Sequence, residues 1–380
     1  MKIAYILFDP GIAIGGVKGA SVHVARFCQS AKRLGHEVHL FVTSVKDLSA
    51  VDATVHQIYF DKVKSNDLSK IEASKRFAQA LREELQRYDF DLIYERLSLF
   101  FGEGGKIAAE FGLRRILEIN APVAKERANH FLLAEHAKAA EDERSAIVGA
   151  DVVCVTSALI PYAASNGAAR IRVVPNGVAV DDFELPKAQQ FGLFTIGFVG
   201  SLKGWHGVEN LLLAAELLHE RGRSFRVKIV GEGPRGEHLR QLASSLSCAQ
   251  SIEFVGAVPM SDVPKEIATF DVGVAPYVRS NDFYFSPLKV LEYMAGGIPV
   301  VATDTPSIRS ITLDLAILLT DPGPIALSSA IELIMDNPSL AHELSAKARA
   351  RVVEKFSWDD TVAEILERDL FIEDLDAAFS

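Results

Sequence analysis

In residues 286–304, SPLKVLEYMAGGIPVVATD, a lysine and a glutamate stand three positions apart, Lys289 and Glu292. On a helix that spacing puts both side chains on one face, about one turn apart. A cation near a helix start can meet phosphate, and a carboxylate one turn on can accept ribose hydroxyls. Ser286-Pro287 suits a helix start, because proline gives up an N–H that has no intrahelical partner in the first turn. Gly296-Gly297 then stops the helix, and residues 298–303 read as a buried parallel strand. Helix N-termini beside the carboxyl ends of parallel strands are where open α/β sheets bind anions. The competing reading is an exposed Lys–Glu pair, the usual outcome of such spacing and worth little. The surrounding elements favour the ligand.

Composition narrows the classes open to the chain. It has 380 residues, 49% hydrophobic and 24% charged, an ordinary globular balance and a natural length for two α/β domains. A formal net charge of -10 argues against nucleic acid as a partner, though it says nothing of one local basic pocket. Cys28, Cys154 and Cys248 form no CxxC or Cys/His cluster, which points to a reducing compartment, no metal and three small buried hydrophobes. The opening MKIAYILFDPG breaks too soon, at Asp9-Pro10-Gly11, for a signal peptide, and reads as a first strand. No apolar run is long enough to span a bilayer. The expected location is the cytoplasm, with peripheral contact at the inner membrane surface left open.

Strands and helices alternate twice over. Residues 2–8 read as a strand, 11–19 as a glycine-rich loop, and Ser21 as the cap of a helix with Val24, Phe27, Cys28 and Ala31 on its packed face. Strands over 37–43, 91–94, 115–119 and 151–156 follow, with a long helix within 70–87. The pattern restarts near Leu193, with strands over 194–199, 226–230, 252–255, 271–275 and 299–302 and a helix over 208–218. The loop 200–207, GSLKGWHG, follows the first of these strands, and the turn Gly231-Glu232-Gly233-Pro234 the second. Such alternation implies α/β domains whose parallel sheets carry helices on both faces. The polar, turn-rich stretch 174–191 reads as the linker. The expected domains are 1–185 and 186–359, two doubly wound, Rossmann-like sheets facing across a cleft that takes a small molecule. Residues 339–376 read as helical, with Phe356-Ser357-Trp358 as packing anchors and a C-terminal helix 360–380 returning to the first domain.

The segments VVPNGV (173–178), FVGSLKGWHGVE (198–209), KIVGEGP (228–234), IEFVGAVP (252–259) and SPLKVLEYMAGGIPVVAT (286–303), in this order, resemble those of the retaining glycosyltransferases of family 4, which have the GT-B fold. GASVHV (19–24), GHEV (35–38), ILEINAP (116–122) and FSW (356–358) extend the resemblance over nearly the whole chain. Their joint order and spacing carry it, and no single motif does.

The resemblance implies a UDP-, GDP- or TDP-sugar donor held mainly by the C-terminal domain and an acceptor held mainly by the N-terminal one. It implies transfer to an acceptor hydroxyl with retention of anomeric configuration and no required metal or other cofactor. Glu292 matches the second glutamate of the family's E-x7-E motif, which binds donor ribose. Gly19 matches the loop glycine that approaches the diphosphate. Gly233 and Val258 match the nucleotide lining, Val258 near the base, and Ser286 and Leu288 belong to the SPLK stretch of the same lining. Some positions depart from the pattern. Tyr284 stands where the first glutamate of the motif falls, with Asp282 close enough to substitute. Ser201 and His206 stand where the loop after the first C-domain strand carries Arg and Lys. Together with SPLK these changes read as a coherent variant, in which Lys203 and Lys289 supply the charge. Asn120 lies near the place of a family histidine that faces the donor sugar.

Breaking the glycosidic bond builds negative charge on the diphosphate, and without a metal, cations and helix N-termini must stabilise it. Lys203 and Lys289 are the catalytic candidates for that work. Glu118 and Asn120, with Glu126, form a polar set after strand 115–119 that is a candidate for the acceptor or the donor sugar. His206 either donates to phosphate or packs in its loop, Trp205 anchors that loop, and His23 either lines the cleft or packs. Glu95-Arg96 reads as a cleft-edge pair or a structural ion pair. A Rossmann dehydrogenase would need G-x-G-x-x-G after the first strand, and Gly11, Gly15, Gly16 and Gly19 do not provide it. A non-catalytic sugar-nucleotide-binding protein, suggested by Tyr284 and Ser201, and a GT-B epimerase remain as alternatives. The acceptor classes open are carbohydrate, lipid-linked and small-molecule hydroxyls.

Overall fold

The computed structural model describes residues 1–16, 19–49, 51–58, 66–130, 134–185, 192–278, 284, 286–312 and 318–367, and for 129 and 130 the backbone alone. The chain divides into two compact units, Met1–Asn176 with Tyr284–Ser286 and Trp358–Ser380, and Gly177–Phe283 with Pro287–Ser357.

The first unit begins with β1 (Lys2–Leu7), an apolar run buried along nearly its whole length, as a parallel strand covered on both faces must be. Next come α1 (Gly19–Arg33), β2 (Glu37–Val42), β3 (Thr54–Gln57) and α2 (Asp67–Leu85). α2 opens on a cap, Asn66 Oδ1 accepting from Ser69 N at 2.8 Å. β4 (Leu92–Arg96), α3 (Gly104–Phe111), β5 (Arg114–Ile119), α4 (Val123–His130), α5 (His136–Ile147), β6 (Asp151–Cys154), α6 (Ile160–Ser165) and β7 (Arg170–Val173) complete it. The strand order is β3-β2-β1-β4-β5-β6-β7, all parallel. The chain therefore runs outward from β1 and then returns to its other side at β4. That reversal is the switch point at which doubly wound sheets open a crevice. Ser21 is not the cap expected of it. It is the third residue of α1, buried, with its hydroxyl against Gly16 and without a hydrogen-bond partner.

The second unit repeats the plan. Its elements are β8 (Phe194–Val199), α7 (Val208–Glu220), β9 (Phe225–Val230), α8 (Gly236–Ser245), β10 (Ile252–Gly256), α9 (Val263–Ile267), β11 (Val272–Ala275), α10 (Leu288–Ala295), β12 (Val300–Thr303), α11 (Pro306–Thr312), β13 (Leu318–Thr320), α12 (Pro324–Asp336) and α13 (Pro338–Lys355). The parallel order is β10-β9-β8-β11-β12-β13, so the switch point lies between β8 and β11. Phe198, Leu211, Leu212, Leu218, Val272 and Ile331 are among the fully buried side chains that join this sheet to its helices.

The region read as helical from residue 339 is interrupted at Phe356. Phe356 leaves helical geometry at φ -128°, its carbonyl accepts Val178 N at 2.8 Å, and Ser357 bridges Val178. α14 (Trp358–Leu366) then starts afresh and belongs to the first unit. Ser30 Oγ donates to the Trp358 carbonyl at 2.9 Å, and Arg33 pairs with Asp359 at 2.6 Å. The rest of the expected helix 360–380, from residue 368 on, lies outside the described residues.

Candidate functional site

The loops that follow β8, β9 and β11 pack on one another at the carboxyl end of the second sheet. Gly207 has φ 65°, and a Cβ there would stand 1.9 Å from the Pro276 carbonyl oxygen. A Cβ on Gly233 would stand 2.6 Å from Leu202 N. Both positions thus require glycine for close backbone approach. Leu202 N donates to Glu232 O at 3.0 Å and Val278 N to Trp205 O at 3.1 Å, which fixes the β8–α7 loop between its neighbours.

Lys289 comes up from the first turn of α10 into this junction. Only 6% of the residue is exposed. Its Nζ donates to Tyr277 Oη at 3.3 Å and lies 4.5 Å from the Tyr277 ring centre and 5.0 Å from that of Phe198. A Cβ on Gly200, just past β8, would be 3.3 Å from the same nitrogen. Among the described residues no carboxylate lies within ion-pair distance of it, so the competing reading, a helix-surface bridge to Glu292, is not what forms. Burial pulls the Lys289 ammonium down to about 7, with Glu292 opposing. Burial likewise pushes the Glu292 carboxyl up to about 7, with Lys289 opposing.

His206 completes the junction. Its Nδ1 faces the Ser201 carbonyl, which also accepts Lys203 N at 2.9 Å. Burial first, then the charges of Lys289 and Lys203, drive the imidazole down to about 3. The neutral ring therefore donates Nδ1–H to Ser201 and keeps a lone pair on Nε2. Lys203 lies over the Trp205 ring, 4.6 Å from its centre. Two cations, one of them desolvated and without a carboxylate, at a switch point with a carboxylate one helical turn away suit a diphosphate joined to a ribose.

The first unit builds a different cluster at its own switch strands. Glu118, 1% exposed, accepts from His23 Nε2 at 2.9 Å and from Tyr94 Oη on one oxygen, and from Arg96 Nη1 and Asn120 Nδ2 on the other. Arg96 and Glu118 are direct partners in the β4–β5 register. Burial opposes the Glu118 charge, yet His23 and Arg96 hold its carboxyl well below the usual range. His23 is also packed edge-on against Trp358, with ring centres 4.9 Å apart. Glu95 and Arg96 do not pair with each other, because successive strand residues face opposite ways. Glu95 turns to Arg115 at 2.7 Å instead.

The other expected site residues are placed as follows. Gly19 is exposed at the start of α1, and a Cβ there would meet nothing within 4 Å, so no internal contact calls for glycine. Val258 is half-buried after β10, and Leu288 half-buried at the start of α10. Ser286 has a buried hydroxyl without a hydrogen-bond partner. Tyr284 packs into the first unit's apolar cluster with Leu117, Ile119 and Val152, and its carbonyl accepts from Thr156 Oγ1 at 3.1 Å. Asp282 lies outside the described residues. Glu126 sits in the first turn of α4 with no described hydrogen bond to Glu118 or Asn120. Tyr277, Phe198 and Tyr94 were not singled out by sequence reasoning, since an aromatic at a strand end carries no pattern of its own. A cavity of about 610 Å³ lies at the opposite, amino end of the second sheet, against Asp271, Pro299 and Arg349, away from these groups.

Two family profiles match the chain in succession. One, described as Glycosyltransferase Family 4, covers residues 17–182, and the other, described as Glycosyl transferases group 1, covers 194–337. A 2-deoxystreptamine glucosyltransferase of Streptomyces kanamyceticus is 29% identical over 47% of this chain and 49% of its own length. An alpha-monoglucosyldiacylglycerol synthase of Streptococcus pneumoniae is 22% identical over 94% of this chain and 86% of its own length. The chain spans about half or less of the first curated relatives it matches, 49%, 43% and 16% of their lengths. Among solved structures, Anabaena Alr3699/HepE in complex with UDP and glucose superposes with a TM-score of 0.72 at 18% identity, covering 96% of this chain and 98% of that one. That likeness shows a shared fold, the GT-B pair of doubly wound sheets.

Proposed function

The chain belongs to glycosyltransferase family 4, and on that premise we propose that it moves a sugar from a nucleotide-sugar donor to an acceptor hydroxyl, with retention and without a metal. The observation that carries this reading is Lys289, a buried lysine with no described carboxylate in pairing distance at the carboxyl ends of β8 and β11. A diphosphate supplies the charge that Lys289 lacks, and Lys203 supplies a second cation as the leaving group becomes more negative. Glu292 takes the ribose hydroxyls, and the Gly233 turn and Val258 lie along the nucleotide. The first unit holds the acceptor. A relative makes, by its name, a monoglucosyldiacylglycerol, and another glucosylates 2-deoxystreptamine, so lipid and small-molecule acceptors are both in scope. Among the described residues no helix is long and apolar enough to cross a membrane, and a lipid acceptor would be met by peripheral contact.

Thermal unfolding with UDP, GDP, TDP and their common sugars, with and without a chelator, tests this. One nucleotide should raise the unfolding temperature, since a ligand of the folded state stabilises it. A shift abolished by chelator overturns metal independence, and no shift with any nucleotide overturns the donor site. Release of free nucleoside diphosphate on addition of acceptor separates a transferase from a binding protein or an epimerase.

A further inference from the structure

The edge of the first sheet carries two histidines that lie outside the site described above. β2 and β3 run parallel in a register that sets His39 opposite Thr54 and Phe41 opposite His56. Strand side chains alternate, so His39, Phe41 and His56 share one face. The two imidazoles are nearly parallel, 17° apart, and His39 Nδ1 is 2.9 Å from His56 Nε2. A carboxylate closes each end of the row. Glu37 Oε1 is 2.8 Å from His39 Nε2, and Glu84 Oε2, in the last turn of α2, is 3.6 Å from His56 Nδ1. Each carboxylate also faces a cation, Lys2 at 3.5 Å from Glu37 and Arg87 at 2.8 Å from Glu84. Aromatic rings enclose the rest. Phe41 is stacked on His56, Phe90 stands edge-on to His39, and Tyr88 edge-on to both. His39 is buried and His56 nearly so.

This row limits the protons that the pair can hold. A ring nitrogen facing a carboxylate is best as N–H, and between the two rings one nitrogen must donate and the other accept. With both rings neutral, His39 donates to Glu37 at the closer contact and His56 donates to His39. A lone pair of His56 then faces Glu84 across the longer contact. One added proton on His56 Nδ1 turns that contact into an ion pair, and every nitrogen is matched. A second added proton has no place. Both inner nitrogens would carry N–H groups aimed at each other at 2.9 Å, and two cations would touch inside a shell of rings. Burial first, then the charge of His39, hold the His56 imidazole below its ordinary value of 6.5, with Glu84 opposing. In the unfolded chain each ring takes its own proton below about 6.5.

The least disruptive way to admit the second proton is to move His56 away. β2 lies between β1 and β3, whereas β3 is a strand of 4 residues at the sheet edge, with one strand neighbour and no buried residue. Such an edge opens at lower free energy than the strands inside the sheet. We propose that His39 and His56 form an acid-sensitive latch, which holds β3 to β2 while the pair carries no more than one added proton and frees β3 when a second enters.

Hydrogen exchange of the full, ligand-free chain, read by mass spectrometry and corrected for the intrinsic rate at each pH, tests this. Amides of residues 54–58 are compared with those of β1 and β4 between pH 7.5 and 5. The freed state binds one more proton, so protection over 54–58 should fall about tenfold for each pH unit below about 6, while β1 and β4 keep theirs. Glu37 stays ionised in this range, its carboxyl being held below the usual value first by the His39 hydrogen bond. His56→Gln keeps an amide that can either donate to His39 or accept from it, so the contact survives protonation of His39. Its protection over 54–58 should not change with pH. His39→Asn offers His56 the same choice and serves where the first variant does not fold. Wild-type protection that stays flat from pH 7.5 to 5, or a fall of equal slope in the variants, overturns the latch. A fall shared by β1 and β4 overturns it as well, since acid then loosens the sheet as a whole.

Discussion

Each unit keeps a carboxylate near the carboxyl ends of its strands, and the two are treated in opposite ways. Glu118 in the first unit has a donor for every lone pair and is held ionised, well below the usual carboxyl range. Glu292 in the second has no described hydrogen bond, and it and Lys289 are both driven by burial toward about 7. Desolvating a charge without supplying partners is unfavourable, and proteins retain such groups where a ligand supplies what is missing. The contrast separates an ion completed by its own protein from an ion pair left incomplete. The first stiffens a surface and the second waits for charge.

The largest effect should come from removing the completed ion. Glu118→Ala leaves the half-buried Arg96 guanidinium without its carboxylate and strips Tyr94 and His23 of their acceptor. Breaking a buried pair in this way costs about 3–5 kcal/mol. Urea or thermal unfolding of the ligand-free protein measures it, and a loss below 1 kcal/mol would mean that the cluster is looser than its geometry. The pH dependence follows the same logic. Glu118 titrates lower in the folded state than in the unfolded chain. It therefore adds its full stability above the ordinary carboxyl value of 4.5, and that contribution is lost as pH falls below it.

Lys289→Met should behave in the opposite sense. It replaces a desolvated cation by an apolar chain of similar length, so stability should hold or rise. Affinity for a nucleoside diphosphate should fall about 10–100-fold, the worth of a charged hydrogen bond, with little change for the nucleoside. The wild type should show this in its pH profile. The ordinary lysine value is 10.5, and in the folded protein it is about 7. Between those values the free protein holds a neutral amine, and a diphosphate must bring a proton with it. Affinity for UDP relative to uridine should therefore decline as pH rises through 7, and a flat ratio between pH 6 and 9 would place the diphosphate elsewhere. For folding, the burial penalty is fully present below 7 and fades toward 10.5, so this residue's share of stability improves with pH.

Much of this contrast was legible in the sequence, and unevenly. The alternation of apolar strands with helices closed by glycine is local, and it marked both doubly wound sheets and the helix that carries Lys289 and Glu292. Their separation by three positions put them on one face, but the sequence could not say that Lys289 is buried there. Burial turns an ordinary surface pair into an unpaired one. The short strands β3, β7 and β13 went unmarked, because three or four residues at a sheet edge, as in Arg170-Ile171-Arg172-Val173, show no extended apolar run. The Glu118 cluster was half seen. Glu118 and Asn120 are neighbours in sequence, whereas His23, Tyr94 and Arg96 reach them only through the β1–β4–β5 pairing. Tyr284 was read through a motif register that suggested a nucleotide contact, and its ring instead fills an apolar cluster of the first unit. A motif fixes position along the chain and leaves the direction of the side chain to packing.

The smallest effect is the most discriminating. Glu292→Gln keeps the shape of the side chain, removes its charge and leaves an acceptor oxygen for one ribose hydroxyl. If Glu292 binds ribose as a carboxylate, the substitution should weaken uridine or guanosine by about three- to tenfold, because charged acceptors make stronger hydrogen bonds than amides. The loss should appear above pH 7 and shrink below it, since there the wild-type carboxyl is itself increasingly protonated. Lys289 loses its nearest described opposing charge in the same variant, so its ammonium should titrate lower still, and the decline of UDP affinity with pH should begin earlier. A variant that weakens the nucleoside but leaves that onset unchanged would show that the two groups act separately. One that shifts the onset and leaves the nucleoside unaffected would make Glu292 a tuner of Lys289 instead of a ribose ligand. Nucleoside and nucleotide titrations across pH 6–9 distinguish these outcomes, and only a weaker nucleoside together with an earlier onset matches an incomplete pair that a nucleotide completes.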